Sequence, residues 1–370
     1  MQHWLTISGL KVLQTNDSAL DLFDLKSFMK ILSKSILLPL LAVMAVGCAK
    51  EASSSTNELE KDYIEAWLKV NHPDAVLSGT GIYILEDIPG TGALYNGEGY
   101  VHVESTITDM EGTISSTTDP VVSQRLGTYV QGNYYGPKIW QISESVIPVG
   151  IQDLITGMRK GGTRTALIPS WLATYTRYKK DSGYLKKTSG SSSAIYTVTL
   201  KDMFDDPEKW EFDSLASYAS RNYGLDRADT LRAGFFYIRT QEPTIHTEFP
   251  SDTTIYINYI GRLLDGTVFD TSIADTAKFY GIYSSSGSYG PVKISWAEEV
   301  TDIKMTIESS SSSSESTPVT GFQYTLWELV GPKEKGTGLF YSPLGYSTSG
   351  SGNSIPSFSP LRFDIEVVDK

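Results

Sequence analysis

Hydrophobic and polar positions alternate along Ile255-Tyr256-Ile257-Asn258 and on into Tyr259. Side chains on a strand point to opposite faces in turn, so this run predicts a strand with one buried face. Asp265-Gly266 follows as a tight turn, because glycine tolerates a positive φ. The chain returns through Val268-Phe269-Asp270, which places a Tyr, a Phe and an Asp at one end of a hairpin. Helical spacing occurs elsewhere. Leu59, Tyr63, Ile64, Trp67 and Leu68 predict a helix over residues 57–69, ended by Pro73. Trp210, Leu215, Tyr218 and Ala219 predict another over residues 208–221. Each is followed by an apolar strand, Gly81-Ile82-Tyr83-Ile84-Leu85 and Gly234-Phe235-Phe236-Tyr237-Ile238. The order recurs after about 150 residues, the period of a duplicated domain rather than of a solenoid.

Further along, the chain reads Tyr341-Ser342-Pro343-Leu344-Gly345-Tyr346, then Ile355-Pro356, then Leu361-Arg362-Phe363-Asp364-Ile365-Glu366. With the hairpin, this ordered set resembles the FKBP-type peptidyl-prolyl cis-trans isomerases over residues 231–370. The resemblance implies an α+β fold of two FKBP-like domains, each a bent antiparallel β-sheet wrapped around a short α-helix. It also implies a site. Tyr259, Asp270 and Tyr346 would be the catalytic positions. Phe269, Val319, Phe322, Ile355 and Phe363 would bind substrate, with Phe322 as the floor and Val319 offering its backbone N–H. Phe stands at the floor where the family most often has Trp, and Ser347 stands where Gly usually follows the Tyr. Phe279 and Trp296 are the candidates for one further aromatic wall. The same module is worn in the first half. Ser105 takes the place of the strand Tyr, Ser115 and Ser116 fall near the Phe-Asp positions, Ile151 replaces the floor aromatic, and Tyr175 is one place off. No catalysis is expected there, and a homodimer through that half is one role it would fit.

An X-Pro bond turns against a barrier of about 18–20 kcal/mol that comes from amide resonance. Twisting the amide localises the nitrogen lone pair and weakens the carbonyl dipole. An apolar ring-lined cradle that prefers this state speeds the turn without acid, base, nucleophile or cofactor. The expected partners are therefore proline-containing polypeptides. The rival readings are a non-catalytic chaperone or binding protein of the same fold, and a surface protein that captures ligands for a partner.

At 370 residues the chain is long for one core. Its net charge of −12 repels phosphate backbones, which argues against nucleic acid as a partner. The 4 histidines have no ligand spacing and the single cysteine is far from them, so no metal site is expected. Around that cysteine lies an address. Met29-Lys30-Ile31-Leu32-Ser33-Lys34 is a basic start, residues 36–46 are an apolar run too short to span a bilayer, and Ala45-Val46-Gly47-Cys48 resembles a bacterial lipobox. Cys48 would carry the lipid and tether the protein to a membrane of the cell envelope, with the outer membrane expected. Residues 1–28 precede this signal awkwardly and are expected to be a non-native extension, with the signal peptide over 29–47. A tether and helix then span 48–72, the degenerate domain 73–204, a linker helix 205–230 and the isomerase domain 231–370. The Ser-rich stretches 188–193 and 309–314 predict flexible solvent loops, the second inside an insertion over 273–317.

Overall fold

The computed structural model describes residues 56–143, 145–186, 191–308 and 313–370. Cys48 and residues 1–47, where the signal peptide is expected, lie outside the described residues. Helix α1 (Thr56–Asn71) leads into the strands of a first sheet: β1 (Val76–Leu77), β2 (Tyr83–Ile88), β3 (Gly99–Thr108) and β4 (Ile114–Thr117). Helix α2 (Pro120–Leu126), β5 (Lys138–Ile142), α3 (Val149–Ile155), β6 (Thr163–Ile168), α4 (Asp181–Leu185) and β7 (Ala194–Phe204) complete this half. Helix α5 (Pro207–Tyr223) then opens the second: β8 (Phe235–Gln241), β9 (Thr254–Leu263), β10 (Val268–Thr271), α6 (Ala274–Phe279), β11 (Val292–Ser295), β12 (Lys304–Glu308), β13 (Ser313–Ser316), α7 (Thr320–Trp327), β14 (Lys335–Phe340) and β15 (Leu361–Val368).

The first sheet runs β1-β2-β6-β7-β3-β4, with β5 also on β3. The second runs β13-β12-β11-β9-β15-β14-β8, with β10 also on β9. All pairings are antiparallel. Apart from the edges the orders correspond: β2-β6-β7-β3 matches β8-β14-β15-β9. Each half therefore repeats one α+β topology.

Period-2 burial is cleanest in β9 and β15. Ile255, Ile257, Tyr259, Gly261 and Leu263 face inward, as do Leu361, Phe363, Ile365 and Val367. Their register sets Tyr259 against Ile365 and Gly261 against Phe363. Helix α7 lies on this face and buries Phe322 and Leu326. Two glycines allow the close fit. A Cβ at Gly338 would come 1.8 Å from Thr325 Oγ1, and one at Gly321 would meet the Phe340 ring at 2.3 Å.

Helix α5 joins the halves. Asp206 caps it by accepting from the Lys209 N–H at 2.9 Å, with Pro207 in the first turn, where its missing N–H is harmless. Trp210 stacks on Phe204 of β7 at 4.7 Å and lies edge-on to His102. One residue later, Glu211 turns to the second half and accepts from the backbone N–H and the hydroxyl of Ser342, both at 2.7 Å. Leu215, Ala216 and Ala219 form a core with Phe236 and Leu339.

Of the two Ser-rich stretches, residues 188–190 and 309–312 lie outside the described residues. Ser313 and Ser314 belong to β13, paired with β12, because alternate backbone groups of an exposed edge find partners there whatever the side chains. Ser193 is anchored too: its hydroxyl donates to Glu60 of α1 at 2.6 Å and accepts from the Ser170 N–H. The stretch 273–317 is also more ordered than an irregular insertion, since it holds α6 and three strands that widen the second sheet.

Candidate active site

The β9–β10 hairpin builds the first wall. Gly266 adopts φ +93° and Asp265 accepts from the Thr267 N–H at 2.8 Å, so the Asp-Gly pair makes the turn as its chemistry requires. A bulge lies between Val268 and Asp270, where the register shifts. Bulges re-aim side chains, and this one tips Phe269 edge-on to Phe363, with ring centres 5.6 Å apart. Gly261 lies beneath both rings. A Cβ there would be 2.6 Å from Phe269 and 2.9 Å from Phe363, so only glycine fits. Thr271 and Ser272 fix the backbone of Tyr259: the Thr271 hydroxyl donates to its carbonyl, and its N–H donates to Ser272 Oγ.

Four of the expected residues form the base. The Tyr259 ring meets Phe322 edge-on at 5.5 Å, and Phe322 meets Phe363 edge-on at 5.0 Å. Such pairs are favoured by the ring quadrupoles. Phe340 stacks on the far side of Phe363 at 5.8 Å. Tyr259, Phe322, Ile355 and Phe363 are only 3–6% exposed. The centre is therefore filled, and a guest would have to sit on the half-buried rim of Phe269, Val319 and Tyr346.

Asp270 marks that rim. Its Oδ2 accepts from the Tyr259 hydroxyl at 2.8 Å. The residue keeps solvent contact, yet the crowded protein around it pushes the carboxyl above its usual range. Burial and the nearby Asp270 charge raise the Tyr259 hydroxyl in turn. Tyr346 is raised for the same two reasons, burial first and the Asp270 charge second. Both phenols are therefore protonated donors at neutral pH. Val319 stands before α7 and its carbonyl accepts from the Phe322 N–H at 2.9 Å.

Several expectations differ from the structure. A helix expected to start at Phe322 begins instead at Thr320, so Phe322 lies in the first turn of α7. Neither extra aromatic candidate joins the rings: Phe279 is 82% exposed, and Trp296 stacks on Trp327. Ser347 adopts φ +51°, the left-handed conformation that a glycine would take freely. Phe340 and the cradle glycine Gly261 were not singled out by sequence reasoning, although Gly261 lies within the hairpin motif.

The first half repeats the frame without the rings. The Ser105 N–H donates to Thr118 Oγ1 and the Thr118 N–H returns to the Ser105 carbonyl. Tyr259 and Ser272 make the same exchange, so Ser105 occupies the Tyr259 position and Ser115 and Ser116 occupy those of Phe269 and Asp270. Glu104, Thr118, Asp119, Thr197 and Thr199 line a polar cavity of about 390 Å³ there.

One loop is present in both halves. Tyr129 stacks on Tyr135 at 4.8 Å, and the Tyr135 hydroxyl accepts from the Val130 N–H at 2.9 Å. Tyr283 stacks on Tyr289 at 5.0 Å, and the Tyr289 hydroxyl accepts from the Ser284 N–H at 2.9 Å. In each the second tyrosine precedes Gly-Pro. The first of these loops crosses to the second half, where the Tyr134 N–H donates to the Asn353 carbonyl at 2.9 Å. Among the described residues, no group of three or more His, Cys, Asp or Glu side chains is placed to hold a metal. None of the described helices is long and apolar enough to cross a membrane.

No family model matches the chain. In sequence it is 31% identical over 117 residues to an FKBP-type 22 kDa peptidyl-prolyl cis-trans isomerase of Escherichia coli; the match takes in 31% of this chain and 40% of that protein. Solved structures with likeness to it include the three FKBP domains of wheat FKBP73 (TM-score 0.26, 12% identity, 79% of this chain and 95% of that one). FkpA from Escherichia coli is another (TM-score 0.28, 18% identity, 51% and 75%). Scores this low carry no argument of their own. The sequence match and the ring-lined site make the chain similar to the FKBP-type peptidyl-prolyl cis-trans isomerases, although it spans less than half the length of the curated relative it matches.

Proposed function

We propose that the second half is a peptidyl-prolyl cis-trans isomerase that assists the folding of exported proteins. The observation that supports this best is the hydroxyl–carboxylate pair of Tyr259 and Asp270 at the edge of a base of packed rings. An apolar core has no use for an aspartate. A twisted prolyl amide, less polar than the planar one, would lie on the rim at Phe269, above the base that Phe322 fills. Tyr346 would donate to a backbone carbonyl beside the proline, and the Val319 N–H to another. Asp270 holds the Tyr259 hydroxyl, which fixes the ring against Phe322. Each tenfold gain in rate asks only about 1.4 kcal/mol of preferential binding to the twisted state.

The assay is isomerisation of a proline-containing peptide by the full chain. Asp270→Asn combined with Phe322→Ala should abolish the rate; a double variant as active as the parent would falsify this site. The low exposure of Tyr259, Phe322, Ile355 and Phe363 favours a second reading, a chaperone or binding protein that keeps the frame but not the turnover. Suppression of aggregation that survives the same double change would support that reading instead.

The envelope address belongs to the same proposal. Cys48 would carry a lipid, and mass spectrometry of the mature N-terminus tests it. The first half, with serines in place of the rings, would not catalyse. It would act through its contacts, with another copy of the chain or with the second half.

A further inference from the structure

We propose that the first half latches the candidate site of the second, so that the Tyr129–Pro137 loop must lift before a polypeptide can enter. The idea rests on the isomerase reading for the nature of the guest. The loop bridges two segments that adjoin site residues along the chain. One follows Asp270 and contains Ile282; the other lies between Tyr346 and Ile355 and contains Asn353. Gly132 is pressed on the first: a Cβ built there would lie 2.6 Å from Ile282 Cγ2 and 3.9 Å from the Val268 carbonyl oxygen. Two residues on, the Tyr134 N–H donates to the Asn353 carbonyl at 2.9 Å. The Tyr134 ring itself packs against the cluster that holds Phe269, Ile355 and Phe363.

The loop is stiff enough for this task. Its stacked tyrosines and the Tyr135–Val130 hydrogen bond close it on itself, and the Tyr134 hydroxyl donates to the Pro137 carbonyl at 2.9 Å. Its counterpart in the second half, closed by Tyr283 and Tyr289, has the same internal geometry. The internal clasp thus comes with the duplicated module, whereas the grip on Ile282 and Asn353 is an added use of it. With both segments tied to one rigid loop, they cannot part. This agrees with the burial of the four innermost side chains.

A reversible lock tests the idea. The built Cβ of Gly132 lies 3.8 Å from Ile282 Cβ, the usual spacing across a disulfide. Gly132→Cys with Ile282→Cys, in the full chain carrying Cys48→Ser, should therefore form a bond that mass spectrometry confirms. Binding of a fluorescein-labelled Ala-Leu-Pro-Phe peptide is followed by anisotropy, with and without dithiothreitol. The locked form should bind at least about fivefold more weakly than the reduced one, because only the open fraction is competent. Tyr134→Ala, which keeps the backbone hydrogen bond to Asn353 but removes the ring packed on the cluster and its bond to Pro137, should bind more tightly than the parent. Equal affinity in locked and reduced forms, or no binding by either, overturns the latch. Peptide that binds the reduced form more tightly but is not isomerised leaves the latch standing and removes the catalytic reading. Peptide that is isomerised at the same rate and affinity in both forms does the reverse.

Discussion

The hydroxyl of Tyr259 donates to Asp270 across the β9–β10 hairpin at 2.8 Å, and the Tyr259 ring stands edge-on to Phe322. One hydrogen bond thus sets the pose of a side chain in the ring base. Tyr259→Phe and Asp270→Asn should each lower kcat/KM for a prolyl peptide by about tenfold, the usual weight of a bond to a charged group. The double variant should lose little more than either single one. Rates that multiply would mean that the two residues act separately. Crowding raises the Asp270 carboxyl, so the parent should lose rate on acidification at a pH above the ordinary carboxylate range. Asp270→Asn should lose this dependence.

Ser347 adopts φ +51° and its N–H donates to the Ser342 carbonyl at 2.8 Å. A residue with a Cβ pays about 1–2 kcal/mol for that conformation. Ser347→Gly should therefore raise the urea midpoint with an unchanged m-value. A lower midpoint would mean that the serine makes up for its strain.

Glu211 is fully buried between α5 and Ser342, and burial lifts its carboxyl to about 7. The folded form then holds a proton that the unfolded chain has already released. Between the ordinary carboxylate range and about pH 7, stability should fall as pH rises, and level off above that window. Glu211→Gln keeps a neutral acceptor for Ser342 and should flatten this slope. Urea unfolding of both proteins at pH 5 to 8 is the measurement, and parallel curves would refute the assignment.

Gly338 faces Thr325, whose Oγ1 would lie 1.8 Å from a Cβ. Gly338→Ala should push α7 off the sheet and cost at least about 1–3 kcal/mol, the usual cost of overpacking. Phe322→Ala, by contrast, leaves a cavity in the ring base and should cost about 3–5 kcal/mol. Thermal unfolding separates the two, and a Gly338→Ala protein as stable as the parent would show that α7 shifts freely.

The hairpin site was legible because short-range rules govern it. Alternation fixed the inward face of β9, Asp265-Gly266 fixed the turn, and the register then brought Tyr259, Phe269 and Asp270 together. Phe322, Ile355 and Phe363 came from the family motif, and the fold places them on the same cluster. What stayed hidden depends on contacts between distant segments. Nothing local to Phe279 or Trp296 says that one points to solvent and the other to Trp327. Glu211 reads as an ordinary surface residue of an amphipathic helix until Ser342 arrives from far along the chain. The Tyr129 loop did leave a trace, the repeated Tyr-Gly-Pro after an earlier tyrosine, but its docking on Asn353 is a tertiary fact.

Helix α5 carries a consequence for anyone who dissects the molecule. It gives Trp210 to one sheet and Glu211, Leu215 and Ala219 to the other. A fragment begun at residue 231 would leave Phe236 and Leu339 bare and Ser342 without its acceptor. The excised C-terminal piece has to start no later than Asp206, and even then it parts with the ring system of Phe204 and His102 on which Trp210 rests.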